Sequence, residues 1–307
     1  MKYFERTDAT LPRGLVAPAW AFVEWRVMPM HMTSTGFSWR HLDQWHLGLV
    51  PVALMALALG IYWLGVRRVP GWSPWRSTSF VAGIVVTFLA TESVLGVYDM
   101  VYFSAHMAQH LLLIMVAAPL FALSAPLDLW YRAGSARTTA FFDGRVMKIL
   151  THPLVGFATY FVVIPVTHLS GIANLMMQHE WVHHSEQVAF LVTGYLFFRA
   201  AFGLERGFTI HPGLRLIYVM AAVPVDTFTG LALVMSTALP FPAYAQMAPA
   251  GSSRAWLLSN VHLGGAIMWI GGDALMLLAC IPITAAWVRW ETARTKVLDA
   301  ELDKLGL

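Results

Sequence analysis

HMAQHLLLIMVAAPLFALSAP (residues 106–126) places two histidines at the head of an apolar run that holds two prolines. About 20 mostly apolar residues suffice for a helix to cross a bilayer. His106 and His110 are four residues apart, so they share one helix face, about 6 Å apart along the axis. His110 then lies below the membrane surface, where an unpartnered imidazole is unfavourable. Two imidazoles at this spacing are candidate ligands for one first-row metal ion. The alternative is a hydrogen-bonded pair packed against another helix.

The same apolar character runs through the chain. Of 307 residues, 58% are hydrophobic and 12% charged, with a mean hydropathy of +0.61. That charged share is about half the usual one for a soluble domain. The reading is an all-α polytopic membrane protein, a seven-transmembrane helix bundle with spans near 43–65, 79–98, 104–125, 153–170, 185–203, 212–237 and 257–284. Residues 43–284 form the membrane domain, between a periplasmic N-terminal segment (1–42) and a cytoplasmic tail (285–307). Segment 14–34 is expected to be an interfacial helix rather than a span, because Glu24 and Arg26 interrupt it. Residues 238–255 read as a loop over the helix mouths.

Loop charges set the direction. Arg67, Arg68 and Arg76 follow span 1; Arg132, Arg137, Arg145 and Lys148 follow span 3; Arg206 and Arg215 follow span 5; Arg289, Arg294, Lys296 and Lys304 lie in the tail. Loops 2–3 and 4–5 carry no Lys or Arg. By the positive-inside rule the C-terminus is cytoplasmic and the N-terminus outside, although Lys2, Arg6, Arg13, Arg26 and Arg40 weigh the other way. The net charge of +3 comes from short loops and gives no nucleic-acid signal. The one cysteine, Cys280, rules out an internal disulfide and a paired-thiolate site. No cleaved signal peptide is expected from MKYFERTDATLPRG.

Ten of the twelve histidines fall at the outer ends of these spans: His31, His41, His46, His106, His110, His168, His179, His183, His184 and His262. Only His152 and His211 fall at the opposite ends. In HEWVHHSEQ (179–187), His183 shares a face with Glu186 and Gln187, and His183 or His184 is a candidate ligand. His262, after Asn260 and before Gly264, Gly265, Gly271 and Gly272, lies near a face where helices can approach closely; it is expected to reach His106 or His110. His46 and His168 are candidate transfer ligands. MPMHM (28–32) offers Met30, His31 and Met32, and soft sulfur favours Cu(I), so this is a candidate copper uptake site.

Buried acids add to this set. Glu92 is a candidate partner that fixes a histidine tautomer. Asp226 and Asp273, inside spans 6 and 7, are either hydrogen-bonded structural residues or part of a proton or ion path. Pro165 and Pro224 are expected to kink their helices.

Three stretches together resemble the CtaG family of bacterial cytochrome c oxidase assembly factors. They are HMAQHLLLIMVAAPLFALSAP (106–126), HHSEQVAFLVTGYLFF (183–198) and the glycine-rich NVHLGGAIMWIGGD (260–273), in order across most of residues 40–285. The resemblance implies a multi-pass protein of the bacterial inner membrane that matures haem–copper oxidases and handles copper. It marks His106, Gln109, His110 and His183 as family-like polar residues. Gln187 stands where the family often has a second histidine after the glutamate, and Asn260 and His262 stand where an Asp–Gln type pair is common. A ligand is therefore expected to have moved to His184 or His262.

The resulting expectation is a non-enzymatic copper metallochaperone. Copper, as Cu(I), binds His106, His110, His183, His184 and His262, with Met107, Gln109, Glu186 and Gln187 in support. Its partners are oxidase subunits, a periplasmic copper donor and the surrounding lipids. Three rivals remain: a haem b electron carrier using His110 with His262 or His168, a membrane zinc hydrolase using His179, Glu180 and His183, and a metal-free scaffold or transporter.

Overall fold

The computed structural model describes Trp45 and residues 47–306. Seven long helical stretches follow in order among them: α1 (Leu49–Arg68), α2 (Pro74–Tyr98), α3 (Phe103–Ala133), α4 (Pro153–Leu169), α5 (Glu180–Phe202), α6 (Pro212–Val234) and α7 (Arg254–Lys304). No strand occurs among the described residues. By length and composition α1, α2, α3, α6 and α7 can each cross a membrane. The other two expected spans are also helical. α4 has 17 residues, and α5 has 23 but opens on the polar EWVHHSEQ.

Proline, serine and histidine punctuate these helices for identifiable reasons. Ser93 interrupts α2, and its hydroxyl accepts from the Leu95 N–H to start the last turn. Ala125 takes a left-handed φ of 51° just before Pro126 and turns the end of α3. Pro224 does not kink a continuous helix. It sits in the first turn of a new segment after a break at Ala221–Ala222, where its missing N–H costs nothing. Pro165 lies inside α4. His152 and His211, at the ends of the bundle away from the other described histidines, cap α4 and α6: their Nδ1 atoms accept from the Leu154 and Gly213 N–H groups.

Several stretches read as loop or tail are helical. Ala136–Phe142, Arg145–Leu150, Ile172–Gln178 and Pro242–Met247 are each one to two turns long. Helices this short carry little periodic signal and depend on packing. α7 runs on to Lys304, so most of the expected tail is helix.

α3 is the hub, packing on α2, α5 and α7, while α1 lies at the periphery against α2 and the end of α3. The interior is filled by Phe103, Ile114, Tyr160, Phe190, Phe197 and Tyr244. Leu54, Val85, Phe161, Leu277 and Ile281 face outward, as a hydrocarbon solvent requires of helices whose own backbones are already hydrogen-bonded.

Glycines bring the backbones close at two crossings. A Cβ on Gly194 of α5 would stand 2.6 Å from the Ile114 carbonyl oxygen of α3. Gly230 of α6 and Gly265 of α7 face each other, and a Cβ on either would come within 2.6 or 2.7 Å of the other's carbonyl oxygen. Where lipid gives helices no hydrophobic reason to associate, such close packing holds them together. π turns at Leu113–Ala117 in α3 and Ile267–Gly271 in α7 complete the centre. The first begins three residues after His110, and the Leu113 N–H is shared between the Gln109 and His110 carbonyls. π turns concentrate at functional sites.

Gly230→Ala should therefore lower the thermal midpoint of the detergent-solubilised protein, at a cost of about 1–3 kcal/mol for overpacking. Gly60→Ala, where a Cβ meets nothing within 4 Å, should leave it unchanged or raise it. Equal midpoints for the two variants would contradict the close α6–α7 crossing.

Candidate metal centre

α3 and α5 present their second turns to each other at the same end of the bundle. His106 and His110 project from one face of α3, and His183 and Glu186 from α5. All four are at most 5% exposed, as is Asp99 in the short connection before α3. Their donor atoms gather into two triads, His106–His110–Glu186 and Asp99–His106–His183, each with every pair of ligand atoms within 4.8 Å. Glu186 Oε2 lies 3.3 Å from His110 Nε2 and 3.7 Å from His106 Nε2, and His183 Nε2 lies 3.4 Å from Asp99 Oδ2.

Hydrogen bonding sets which nitrogens are free to ligate. His168 Nδ1 is 2.8 Å from the Ile164 carbonyl oxygen, an atom that can only accept, so Nδ1 carries the proton. In the neutral ring His168 Nε2 is then a lone pair, and it faces His110 Nδ1 at 3.4 Å. His110 Nδ1 donates to it, which leaves the lone pair of His110 on Nε2, pointing at Glu186. That nitrogen, His106 Nδ1 and both Glu186 oxygens are buried and make no hydrogen bond. A lone pair facing a carboxylate in a dry interior is repulsive unless a proton or a cation lies between them. The arrangement is chemically suited to a cation.

Amides hold the rest of the cluster. Gln109 donates through Nε2 to the Ala90 carbonyl (3.0 Å) and to Asp99 Oδ2 (2.6 Å), and its Oε1 accepts from Gln187 Nε2 (3.3 Å). Gln187 Nε2 also lies 3.5 Å from His183 Nε2. Burial pushes the Asp99 carboxyl up to about 7 against the opposing effect of the Gln109 hydrogen bond.

The structure thus brings His106, His110, His168, His183, Glu186, Gln109 and Gln187 together. His184 stands at the edge, with Nδ1 3.3 Å from Gln187 Oε1. Three expected members lie elsewhere. His262 bonds through Nε2 to the Ser236 carbonyl at 2.9 Å. Asn260 and Gly264 are α7 residues that meet α3, at Ser104 and at Phe103 and Met107; His262 is two residues from each, about 200° around the helix, and so faces away from α3. Met107 packs on Gly264 rather than among the imidazoles. Glu92 accepts from the Gly48 N–H at 2.7 Å and so holds the start of α1 instead of orienting a histidine. Met30, His31, Met32, His41 and His46 lie outside the described residues. Asp99 is the member that sequence reasoning missed. The available signal was a single acid in VYDMVY (97–102), a connection without Lys or Arg directly before HMAQH.

The geometry also bears on the rivals. His179 is the extended N-cap of α5 and is exposed, so it does not share a helix face with His183 as a zinc-protease motif requires. The His110 and His168 rings meet nitrogen to nitrogen, which leaves no space for a porphyrin between them. Asp226 accepts from the Tyr160 hydroxyl at 2.5 Å, and Asp273 from Thr227 at 3.0 Å. Both therefore have hydrogen-bond partners within the packed bundle.

Fold and cluster define a helical membrane protein with a buried imidazole–carboxylate site able to hold a metal ion. The family model for the cytochrome c oxidase caa3 assembly factor (Caa3_CtaG) matches residues 60–290, and the chain belongs to that family. It is similar to an uncharacterized protein of Mycobacterium leprae, 27% identical over 259 residues, which covers 78% of this chain and 38% of the relative. Uncharacterized proteins of Mycobacterium bovis and Mycobacterium tuberculosis are each 27% identical over 272 residues, covering 81% of this chain and 40% of theirs. The chain thus spans about two fifths of the length of these curated relatives. No solved structure matches it.

Two buried carboxylates make a direct comparison. Glu205 lies 3.0 Å from Arg199 Nε and accepts from the Tyr195 hydroxyl (2.7 Å) and the Leu127 N–H (3.0 Å), whereas Glu186 has no hydrogen bond and only imidazole nitrogens at 3.3 and 3.7 Å. Glu205→Gln should destabilise the metal-free protein by about 3–5 kcal/mol, the cost of stranding a buried charge. Glu186→Gln should leave its thermal midpoint unchanged or raised while cutting metal affinity. A large drop for Glu186→Gln without metal would mean that this carboxylate is structural.

Proposed function

We propose that this chain is a copper-handling assembly factor. In this reading it is a seven-span protein of the bacterial inner membrane, with its N-terminus outside, its C-terminus in the cytoplasm and the histidine cluster towards the periplasmic face. It takes copper from a periplasmic donor and passes it to a cytochrome c oxidase subunit without catalysing a reaction. The observation that carries the reading is the convergence of buried nitrogen and oxygen atoms without hydrogen bonds on His106, His110 and Glu186. Such an arrangement weakens a fold unless a ligand uses it. Family membership supplies the oxidase, and the loops without Lys or Arg on the cluster side supply the orientation.

The donor set refines the expected cargo. Each triad has two imidazoles and one carboxylate. Imidazole suits copper in general, while a carboxylate is a harder donor than the thioethers that select Cu(I). We therefore assign the buried site to copper with nitrogen and oxygen ligation. The sulfur-rich MPMHM segment remains the candidate for receiving Cu(I). Few ligands and a shared histidine suit delivery, because a closed shell of strong donors would hold the ion too tightly to release it.

Full-length protein purified in mild detergent should retain about one copper ion per chain, and a His106→Ala/His110→Ala variant less than about a tenth of that, in line with metal affinity being set by deprotonated, preformed ligands. Cells carrying that variant should assemble oxidase deficient in copper but not in haem. Equal copper in variant and wild type would overturn the site, and copper-replete oxidase in the variant cells would overturn the delivery role.

A further inference from the structure

His106 belongs to both triads. Its ring centroid lies 4.0 Å from that of His110 and 5.3 Å from that of His183. Along the helices the two triads are displaced: His110 is about 6 Å further along α3 than His106, and Glu186 about 4.5 Å further along α5 than His183. Asp99 and His183 therefore mark a shallow position next to the connection before α3, and His110 and Glu186 a deep one.

We propose that the cluster is a two-position path for a single metal cation, with His106 as the ligand common to a shallow Asp99–His106–His183 position and a deep His106–His110–Glu186 position. This deepens the copper reading and rests on its central site. The two positions have the same donors, two imidazoles and one carboxylate each. An ion moving between them therefore meets the same ligand charge and the same nitrogen and oxygen softness. The move exchanges Asp99 and His183 for His110 and Glu186 about the shared His106 ring. His106 completes both triads, so an ion in one position leaves the other with a single imidazole and a carboxylate, and occupancy is one ion at a time.

The supports around the two positions differ in a way that gives them direction. The shallow carboxylate is held at Oδ2 by the Gln109 amide, itself tied to the Ala90 carbonyl and to Gln187, and only its Oδ1 lacks a hydrogen bond. The deep carboxylate has no hydrogen bond on either oxygen, and the deep histidine presents a lone pair fixed by the His168–Ile164 relay. The deep position has the larger unmet demand for a cation and is the resting place. The shallow position, beside the connecting segment, is the point of loading and exit.

The test is titration of the full-length protein in mild detergent with Co(II) alone, read by its visible d–d absorption and by electron paramagnetic resonance. Wild type should saturate at about one ion per chain, since both positions need His106. Asp99→Asn should retain an ion with the deep-position spectrum but load it at least about tenfold more slowly, and Glu186→Gln should retain an ion with a different, shallow-position spectrum. His106→Ala should weaken binding at least about tenfold, as expected for a ligand to either position. Two ions bound per wild-type chain would overturn the proposal without reference to any variant. Indistinguishable spectra for Asp99→Asn and Glu186→Gln, or loading by Asp99→Asn at the wild-type rate, would also overturn it. The same titrations with Cu(I) and Cu(II) separate the two readings. Co(II) behaving as described while neither copper ion binds would end the copper assignment and leave the two positions standing; failure of every ion to bind would end both.

Discussion

One backbone carbonyl governs the chemistry of the cluster. The Ile164 oxygen accepts from His168 Nδ1, which turns the His168 lone pair towards His110, which in turn commits the remaining His110 lone pair to Glu186. A relay of this kind, in which the atom furthest from the metal position is a backbone acceptor, is how proteins set the tautomer and direction of a ligating histidine. Since α4 supplies the carbonyl and the second histidine, α3 the first and α5 the carboxylate, the site exists only when three helices are packed in one register. The glycine at the α3–α5 crossing, Gly194 against Ile114, serves chemistry as much as stability: it lets α5 approach closely enough for Glu186 to meet an imidazole of α3.

The bundle treats its other buried polar groups differently, and the contrast separates site from scaffold. Glu205 is bound by a guanidinium, a phenol and a backbone N–H. Asp226 has Tyr160 and Asp273 has Thr227. The Arg76–Asp128–Arg132 group lies against Trp72 at the far end of α3. Each of these is a closed arrangement that fastens helices. Around His106, His110 and Glu186 the donors are gathered without being satisfied, which costs stability in a medium with no water to substitute.

Much of this could be read from the chain, and the failures have physical causes. Helical period and spacing put His106 and His110 on one face of one helix, and the positions of His183, Glu186 and Gln187 in α5 put these on a shared face. His168 was legible only as a histidine at the right end of a span; its role depends on a contact across helices. His262 lies near a glycine-rich face without belonging to it, because Gly264 and His262 point in opposed directions from α7. Glu92 has the right depth but is used by the Gly48 N–H. Asp99 was missed because it lies between helices, where periodicity says nothing and only the contact with Gln109 reveals its place. The short helices between α3 and α4 give no pattern in the sequence for the same reason: packing, rather than local periodicity, holds them.

In the proposed role an imidazole–carboxylate cluster, assembled by three helices, receives copper in the interior of the bundle. X-ray absorption at the copper edge on the loaded, full-length protein tests this most directly. The first shell should be nitrogen and oxygen, with the multiple-scattering pattern of about two imidazoles and no sulfur scatterer, as the donor set of either triad requires. A first shell dominated by sulfur, or one without imidazole, would place the metal elsewhere and contradict it.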